Sequence, residues 1–264
     1  MDNLIEDYYG RLNPGKFFGC NSKTPGSNKC LECFSYQFYR GNEISYDCEE
    51  KRKLYVLRYF PVHFRENSRG AAEIPEDVVD SWFERGHVNI LSVGGGPGAD
   101  VCGVLGYIEI EEKRRNESLY VDILRLDIES QWDEVFNDVM GRFFPWANHQ
   151  TVHLDIRHGI SSITDIDFDL VTASYLVSEL DAQACLDLAE EVDSFLVEGG
   201  VLMVNDRPEN SVEQNIRLMF KWIGMSYSER GLSGWAGYNY PDNVVSGVGP
   251  KLKMSSRVFV GVKG

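Results

Sequence analysis

The chain has 264 residues, 43% of them apolar, and 26 Lys and Arg stand against 41 Asp and Glu for a net charge of −15. This is the composition of an ordered, acidic, globular protein, and it excludes disordered and collagen-like classes. No apolar run approaches the roughly 18–20 residues of a bilayer-spanning helix, and Met1-Asp2-Asn3-Leu4-Ile5-Glu6-Asp7 lacks the basic and apolar regions of a secretory signal, so a cytoplasmic protein with no membrane partner is expected.

Residues 1–48 read as an irregular segment, with turn signals at Asn13-Pro14-Gly15 and Thr24-Pro25-Gly26, and they hold four of the six cysteines. From Glu49 a helix is predicted through Leu54 and Leu57 to end near Pro61, and a second opens at Pro75 and closes at Gly86. Strands are then predicted at Val88–Val93, Leu119–Leu126, Thr151–Leu154, Phe168–Ala173, Gly200–Asn205, Met225–Ser228 and Arg257–Val262. Helical stripes such as Val101, Val104, Leu105 and Ile108 lie between them. Alternation of this kind predicts an α/β fold, a seven-stranded, mostly parallel sheet with helices on both faces. The charged stretch Glu109–Ser118 reads as a surface insertion, and Gly231–Ser256 as a lid or acceptor-binding loop. Two units are expected: residues 1–75, a small cysteine-containing helical extension, and residues 76–264.

Charge divides unevenly between the two ends. Residues 1–89 hold 12 basic and 14 acidic side chains and the remainder 14 and 27, so the C-terminal part repels polyanions and any nucleic acid should meet the N-terminal part. There, Lys51-Arg52-Lys53, Arg58, Arg65 and Arg69 interleave with Tyr55, Tyr59 and Phe60. This pattern fits either RNA binding or an amphipathic helix packed on the rest of the protein.

Two motifs could carry chemistry. Cys20, Cys30, Cys33 and Cys48 are spaced C-x9-C-x2-C-x14-C. In a reducing compartment that spacing favours structural Zn2+, with His63 able to replace one ligand, over a disulfide pair or free thiols. The second motif is Gly94-Gly95-Gly96-Pro97-Gly98, between the first strand and its helix. Glycines there let a ligand touch the backbone, and the helix N-terminus offers unpaired N–H groups. The spacing is not the usual dinucleotide fingerprint, which makes NAD the weaker choice.

With these landmarks in order, the chain from Val88 onward resembles the class I S-adenosylmethionine-dependent methyltransferases. The resemblance implies that Gly94, Gly95, Gly96 and Gly98 cradle the amino-acid end of S-adenosyl-L-methionine and that Asp127, beside Ile128, accepts its ribose hydroxyls, with Asp122 as the fallback. It puts Asp155 and Ile156, in His153-Leu154-Asp155-Ile156, at the adenine, and Ser174 and Tyr175, ending Phe168-Asp169-Leu170-Val171-Thr172-Ala173-Ser174-Tyr175, beside the reacting methyl. Ser92 departs from the pattern, since an acid usually precedes the first glycine. Methyl transfer needs alignment and, where the acceptor carries a proton, a base; His158 is the candidate, with His153, Asp155 and Asp206 also near strand ends. The expected activity is methyl transfer, to RNA by preference. The alternatives are a small-molecule or protein acceptor and a non-catalytic cofactor-binding scaffold.

Overall fold

The computed structural model describes residues 1–38, 44–159 and 166–264, without the side chain of His158. The N-terminal third is helical: α1 (Asp2–Arg11), a 3-10 segment (Pro14–Gly19), α2 (Cys30–Tyr36), α3 (Glu49–Arg58), α4 (Phe60–Ala71) and α5 (Glu76–Arg85). The alternating part follows as β1 (His87–Val93), α6 (Ala99–Arg115), β2 (Tyr120–Asp127), α7 (Trp132–Phe143), β3 (Asn148–His153) and β4 (Phe168–Ser174). It ends with α8 (Ala182–Phe195), β5 (Leu196–Asp206), α9 (Asn210–Ile223), β6 (Ser226–Trp235), α10 (Asp242–Val248) and β7 (Lys253–Val262).

The seven strands form one sheet in the order β3-β2-β1-β4-β5-β7-β6, and β7 runs antiparallel to both its neighbours. Side chains alternate across the sheet with the period of two that a strand imposes. Ile90, Ile123, Leu170, Met203 and Val258 therefore face one core, with α4, α6 and α7, while Leu91, Val171, Leu202, Val204 and Phe259 face another, with α8 and α9. The first core also takes in Leu4, Ile5, Phe34, Leu57 and Phe60, so the N-terminal helices and the sheet share one apolar interior.

Five sequence expectations change in the structure. Residues 1–48 are not an irregular segment, since they hold α1, the 3-10 segment and α2. Pro61 does not end the predicted helix: it sits in the first turn of α4, where its missing N–H costs nothing, and the break falls at Tyr59. Residues 109–115 are the last two turns of α6 rather than an insertion, and Arg114 and Arg115 pair with Glu111 along that helix. The stretch 231–256 is mostly ordered as the end of β6, α10 and the start of β7. Finally, the basic run of α3 faces inward. Lys51, Arg52 and Lys53 are 4–7% exposed, Arg52 donates to the Asp47 carbonyl and Lys53 to the Arg11 carbonyl and Glu50.

Candidate active site

The two central strands β1 and β4 run parallel, while their crossover helices leave in opposite directions, and this opens a crevice at their C-terminal ends where such sheets take ligands. Gly94 and Gly96 line the crevice with positive φ of 62° and 49°. Gly95 is turned under, its N–H donating to the Leu126 carbonyl, and a Cβ there would stand 2.8 Å from Arg125 Cγ. Gly98 caps α6 at φ +83°, against Phe136, and does not line the crevice.

Beneath the loop, the fully buried Arg125 donates to the Gly96 carbonyl and pairs with Asp133. Above it, Asp127 at the end of β2 accepts the Gly96 N–H at 2.6 Å and the Glu129 N–H at 2.9 Å. Burial pushes the Asp127 carboxyl above its usual range, and these two N–H donors and Arg125 oppose the shift. Carboxylate oxygens have about four lone-pair sites between them, so two remain for a diol. At position 92 an acid is supplied from elsewhere: Ser92 Oγ and Thr172 Oγ1 both donate to Asp100 of α6, at 2.6 and 2.7 Å. Asp100 is only 2% exposed.

The crevice is a cleft of about 1270 Å³. Asp127, Ile128, Asp155, Ile156, Ser174 and Tyr175 all line it. Asp155 is held bidentately by Arg157 at 2.8 and 2.6 Å, and Ser174 Oγ accepts from Asn67 at 2.9 Å. Tyr175 has φ +57°, a left-handed conformation that a bulky residue adopts only when its surroundings impose it.

Those surroundings form the far wall of the cleft. The Tyr175 hydroxyl donates to Glu66 at 2.9 Å, and Lys251 Nζ donates to the Tyr175 oxygen at 3.0 Å. The His63 ring stacks on Tyr175 at 3.9 Å and 15°, with Tyr59 parallel to its other side at 5.6 Å. Burial and then Lys251 push the His63 pKa well below its usual value, so the imidazole is neutral at pH 7. Its Nδ1 meets the Tyr55 hydroxyl at 3.2 Å. Tyr46, Tyr55 and Trp132 close the wall as a further aromatic group, with Tyr46 and Trp132 centroids 4.7 Å apart.

The fallback Asp122 is not part of the site. It pairs with His87 at 3.0 Å, five residues before the end of β2, and so lies toward the opposite edge of the sheet. His153 bonds Asp133 at 2.9 Å on the edge strand β3. Asp206 is buried and accepts the N–H groups of Ser178 and Arg207. The backbone of His158 ends a one-turn 3-10 helix, and its side chain lies outside the described residues.

The four cysteines line a different cavity, of about 430 Å³, together with Phe17, Glu49 and Glu50. His63 is not among its lining residues, because it is in the cleft. Cys33 Sγ lies 3.6 Å from Thr24 Oγ1 and Cys30 Sγ 3.7 Å from the Pro14 carbonyl, while Cys48 and Cys20 interact with each other. Among the described residues, no three His, Cys, Asp or Glu side chains stand close enough to hold a metal ion. No helix among those residues is long and apolar enough to cross a membrane.

Sequence reasoning missed Glu66, Lys251, Tyr46 and Trp132, which reach the site by long-range packing, and Glu179, which stands on the turn following β4. Glu179 stands out among them. Its side chain lines the cleft and is exposed there to solvent. Burial raises its pKa to about 7 despite the nearby Arg207.

No protein-family model matches the chain, and no curated protein matches it. Among solved structures it is similar to TehB from Haemophilus influenzae, at 15% identity over 72% of this chain and 63% of that one, with a TM-score of 0.46. A precorrin-6y C5,15-methyltransferase from Geobacter metallireducens matches at 12% identity over 71% of this chain and 87% of its own, TM-score 0.48. Magnesium protoporphyrin IX methyltransferase (ChlM) from Synechocystis, solved with bound SAM, matches at 11% over 91% and 100%, TM-score 0.47. The chain thus spans less than two thirds of the length of TehB. It has the class I methyltransferase fold. The seven-stranded sheet with its antiparallel β7 and the glycine turn between β1 and α6 are its defining features here.

Proposed function

We propose that the protein is an S-adenosylmethionine-dependent methyltransferase acting on a small molecule. The observation that carries this reading is the clasp between the Gly96 N–H and Asp127, set at the mouth of a cleft too large for one ligand. Small-ligand pockets are typically about 300–1,000 Å³, and this cleft is about 1270 Å³, which leaves room for an acceptor beside the cofactor. S-adenosylmethionine would supply an electrophilic methyl group on a sulfonium. Gly94 and Gly96 fit its amino-acid end: the Cβ position of Gly96 has no neighbour closer than 3.9 Å, so the backbone can be approached there. Asp127 would take the ribose hydroxyls, and Asp155 and Ile156 the adenine. Tyr175, fixed by Glu66, Lys251 and His63, would form the acceptor wall next to Ser174.

RNA is the weaker acceptor in this reading. Lys51, Arg52 and Lys53, which would have held its phosphates, are buried, and Arg52 and Lys53 are bonded to backbone carbonyls and Glu50. A structural Zn2+ on Cys20, Cys30, Cys33 and Cys48 is a separate proposal. It is supported by the four side chains sharing one cavity, and it requires the sulfurs to swing inward from their present partners.

Calorimetric titration with S-adenosylmethionine tests the main reading, followed by transfer of tritiated methyl into a cell extract. Binding with label in the small-molecule fraction is the expected result. Absence of binding would overturn the methyltransferase reading, and label lost on ribonuclease treatment would restore RNA as the acceptor.

A further inference from the structure

The charges of the cleft are unevenly satisfied. Four cationic and six acidic side chains line it, and each cation already has a partner. Arg58 donates to Ser35 Oγ and the Gly249 carbonyl, Arg157 to Asp155, Arg207 to Ser178 Oγ, and Lys251 to Tyr175 and Glu66. Asp127 and Glu129 likewise accept backbone N–H groups, from Gly96 and Tyr46 respectively. Glu179 and Asp47 differ, since neither carboxyl has a hydrogen-bond or ion-pair partner among the described residues, and of the two only Glu179 follows the end of β4, where Ser174 and Tyr175 stand. Glu179 stands on the turn after β4, four residues beyond Tyr175, and lines the cleft together with Tyr46 and Tyr55.

We infer that Glu179 is the acceptor-binding carboxylate and proton acceptor for an amine, so that the substrate is a small molecule carrying a basic nitrogen beside an apolar or aromatic body. This rests on the methyltransferase reading. An unpaired carboxylate among aromatic rings favours a cation, whose attraction to the ring faces adds to the ion pair. The same carboxylate, with Asp127 and Asp206 near it, repels a carboxylate or phosphate acceptor. In the reaction the bound ammonium passes one proton to Glu179. The freed nitrogen lone pair forms the N–CH3 bond, the S–CH3 electron pair stays on sulfur, and the proton leaves Glu179 for solvent.

The groups facing Glu179 set its titration: Asp206 and Arg207 from the end of β5, Asp127 from the end of β2, and Tyr46 and Tyr55 from the N-terminal wall. Arg207 favours the ionised form, whereas the two aspartates and burial oppose it. The carboxylate therefore becomes available as pH rises through about 7.

The test compares phenethylamine with phenylacetate, probes of similar shape and opposite charge, on the full chain saturated with S-adenosylhomocysteine. The wild type is expected to bind phenethylamine more tightly as pH rises from about 6 to about 8 and to bind phenylacetate at least about tenfold more weakly. Glu179→Gln should lose about tenfold in phenethylamine affinity and its pH dependence, with S-adenosylhomocysteine affinity unchanged as the check on folding. Glu179→Asp, which keeps the charge, should retain that pH dependence. Equal binding of the two probes, an unaffected Glu179→Gln, or preferential binding of a short oligouridylate would each overturn the inference. A wild type that binds neither S-adenosylmethionine nor S-adenosylhomocysteine would instead overturn the reading on which it rests.

Discussion

The Tyr175 hydroxyl and the Glu66 carboxylate, 109 residues apart in sequence, are joined by a 2.9 Å hydrogen bond at the wall of the cleft. Glu66 is fully buried, and its other partners are the Ser255 N–H at 2.8 Å and Lys251 at 3.4 Å. Removing the phenol oxygen leaves a buried carboxylate with one donor fewer. Tyr175→Phe should therefore cost about 1–3 kcal/mol of stability, read by chemical denaturation. Methyl transfer should fall by at least about tenfold, with S-adenosylmethionine affinity retained. A variant as active and as stable as the wild type would remove Tyr175 from the acceptor wall.

Asp127 has two tasks, holding the Gly96 N–H and accepting the ribose diol. Asp127→Ala should weaken S-adenosylmethionine binding by about 10- to 100-fold, roughly 1.4–2.7 kcal/mol. Asp127→Asn keeps an oxygen for the loop but loses the charge, and should fall between the two. Calorimetric titration of the three proteins checks this order.

Gly95 has no room for a side chain. A Cβ there meets Arg125 Cγ at 2.8 Å, and Arg125 is fully buried with its guanidinium tied to Asp133 and Gly96, so it has little freedom to yield. Gly95→Ala should cost about 1–3 kcal/mol through overpacking. The same substitution at Gly199, whose Cβ position is open although φ is +78°, should cost less. Denaturation midpoints of the two variants make the comparison.

Two groups in the cleft give opposite slopes of stability with pH. The His63 pKa is depressed in the folded protein, so the unfolded chain binds more protons as pH falls through about 6.5, and stability is lost on the acid side. Glu179 is raised from 4.5 to about 7, so its contribution is complete below about 4.5 and is lost as pH rises through about 7. Glu179→Gln should remove the loss of stability between about pH 4.5 and about pH 7 and leave the His63 effect standing alone. Thermal melts between about pH 4 and about pH 8 test this, and an unchanged profile over that range would count against a raised Glu179 pKa.

For the metal proposal, elemental analysis of protein purified without chelator should return one zinc per chain. A value of zero would leave the cysteines as packed thiols.

What could be read from the sequence was local. The turn Gly94–Gly98 declares itself because strand, glycines and helix are contiguous, and Asp127 because it ends a recognisable strand. Pro61 was misread because a proline marks equally the stop of one helix and the first turn of the next, and only packing chose between them. Charged residues 109–115 looked like an insertion because their helix exposes most of that face to water, and no apolar stripe marks its last turns. The acceptor wall had no signature at all. Glu66, Tyr175 and Lys251 meet only after α4, β4 and the segment before β7 have packed, and the positive φ of Tyr175 is a product of that packing.

The pairing of Lys251 and Ser255 with Glu66 and Tyr175 also bears on synthesis. These two residues, and β7, which pairs with β5 from the middle of the sheet, are synthesised after Glu66, the glycine turn and Asp127. Until they arrive, Glu66 lacks two of its donors and Tyr175 lacks the lysine that holds it. A nascent chain that already carries the whole glycine turn and Asp127 therefore has a cofactor half without an acceptor half.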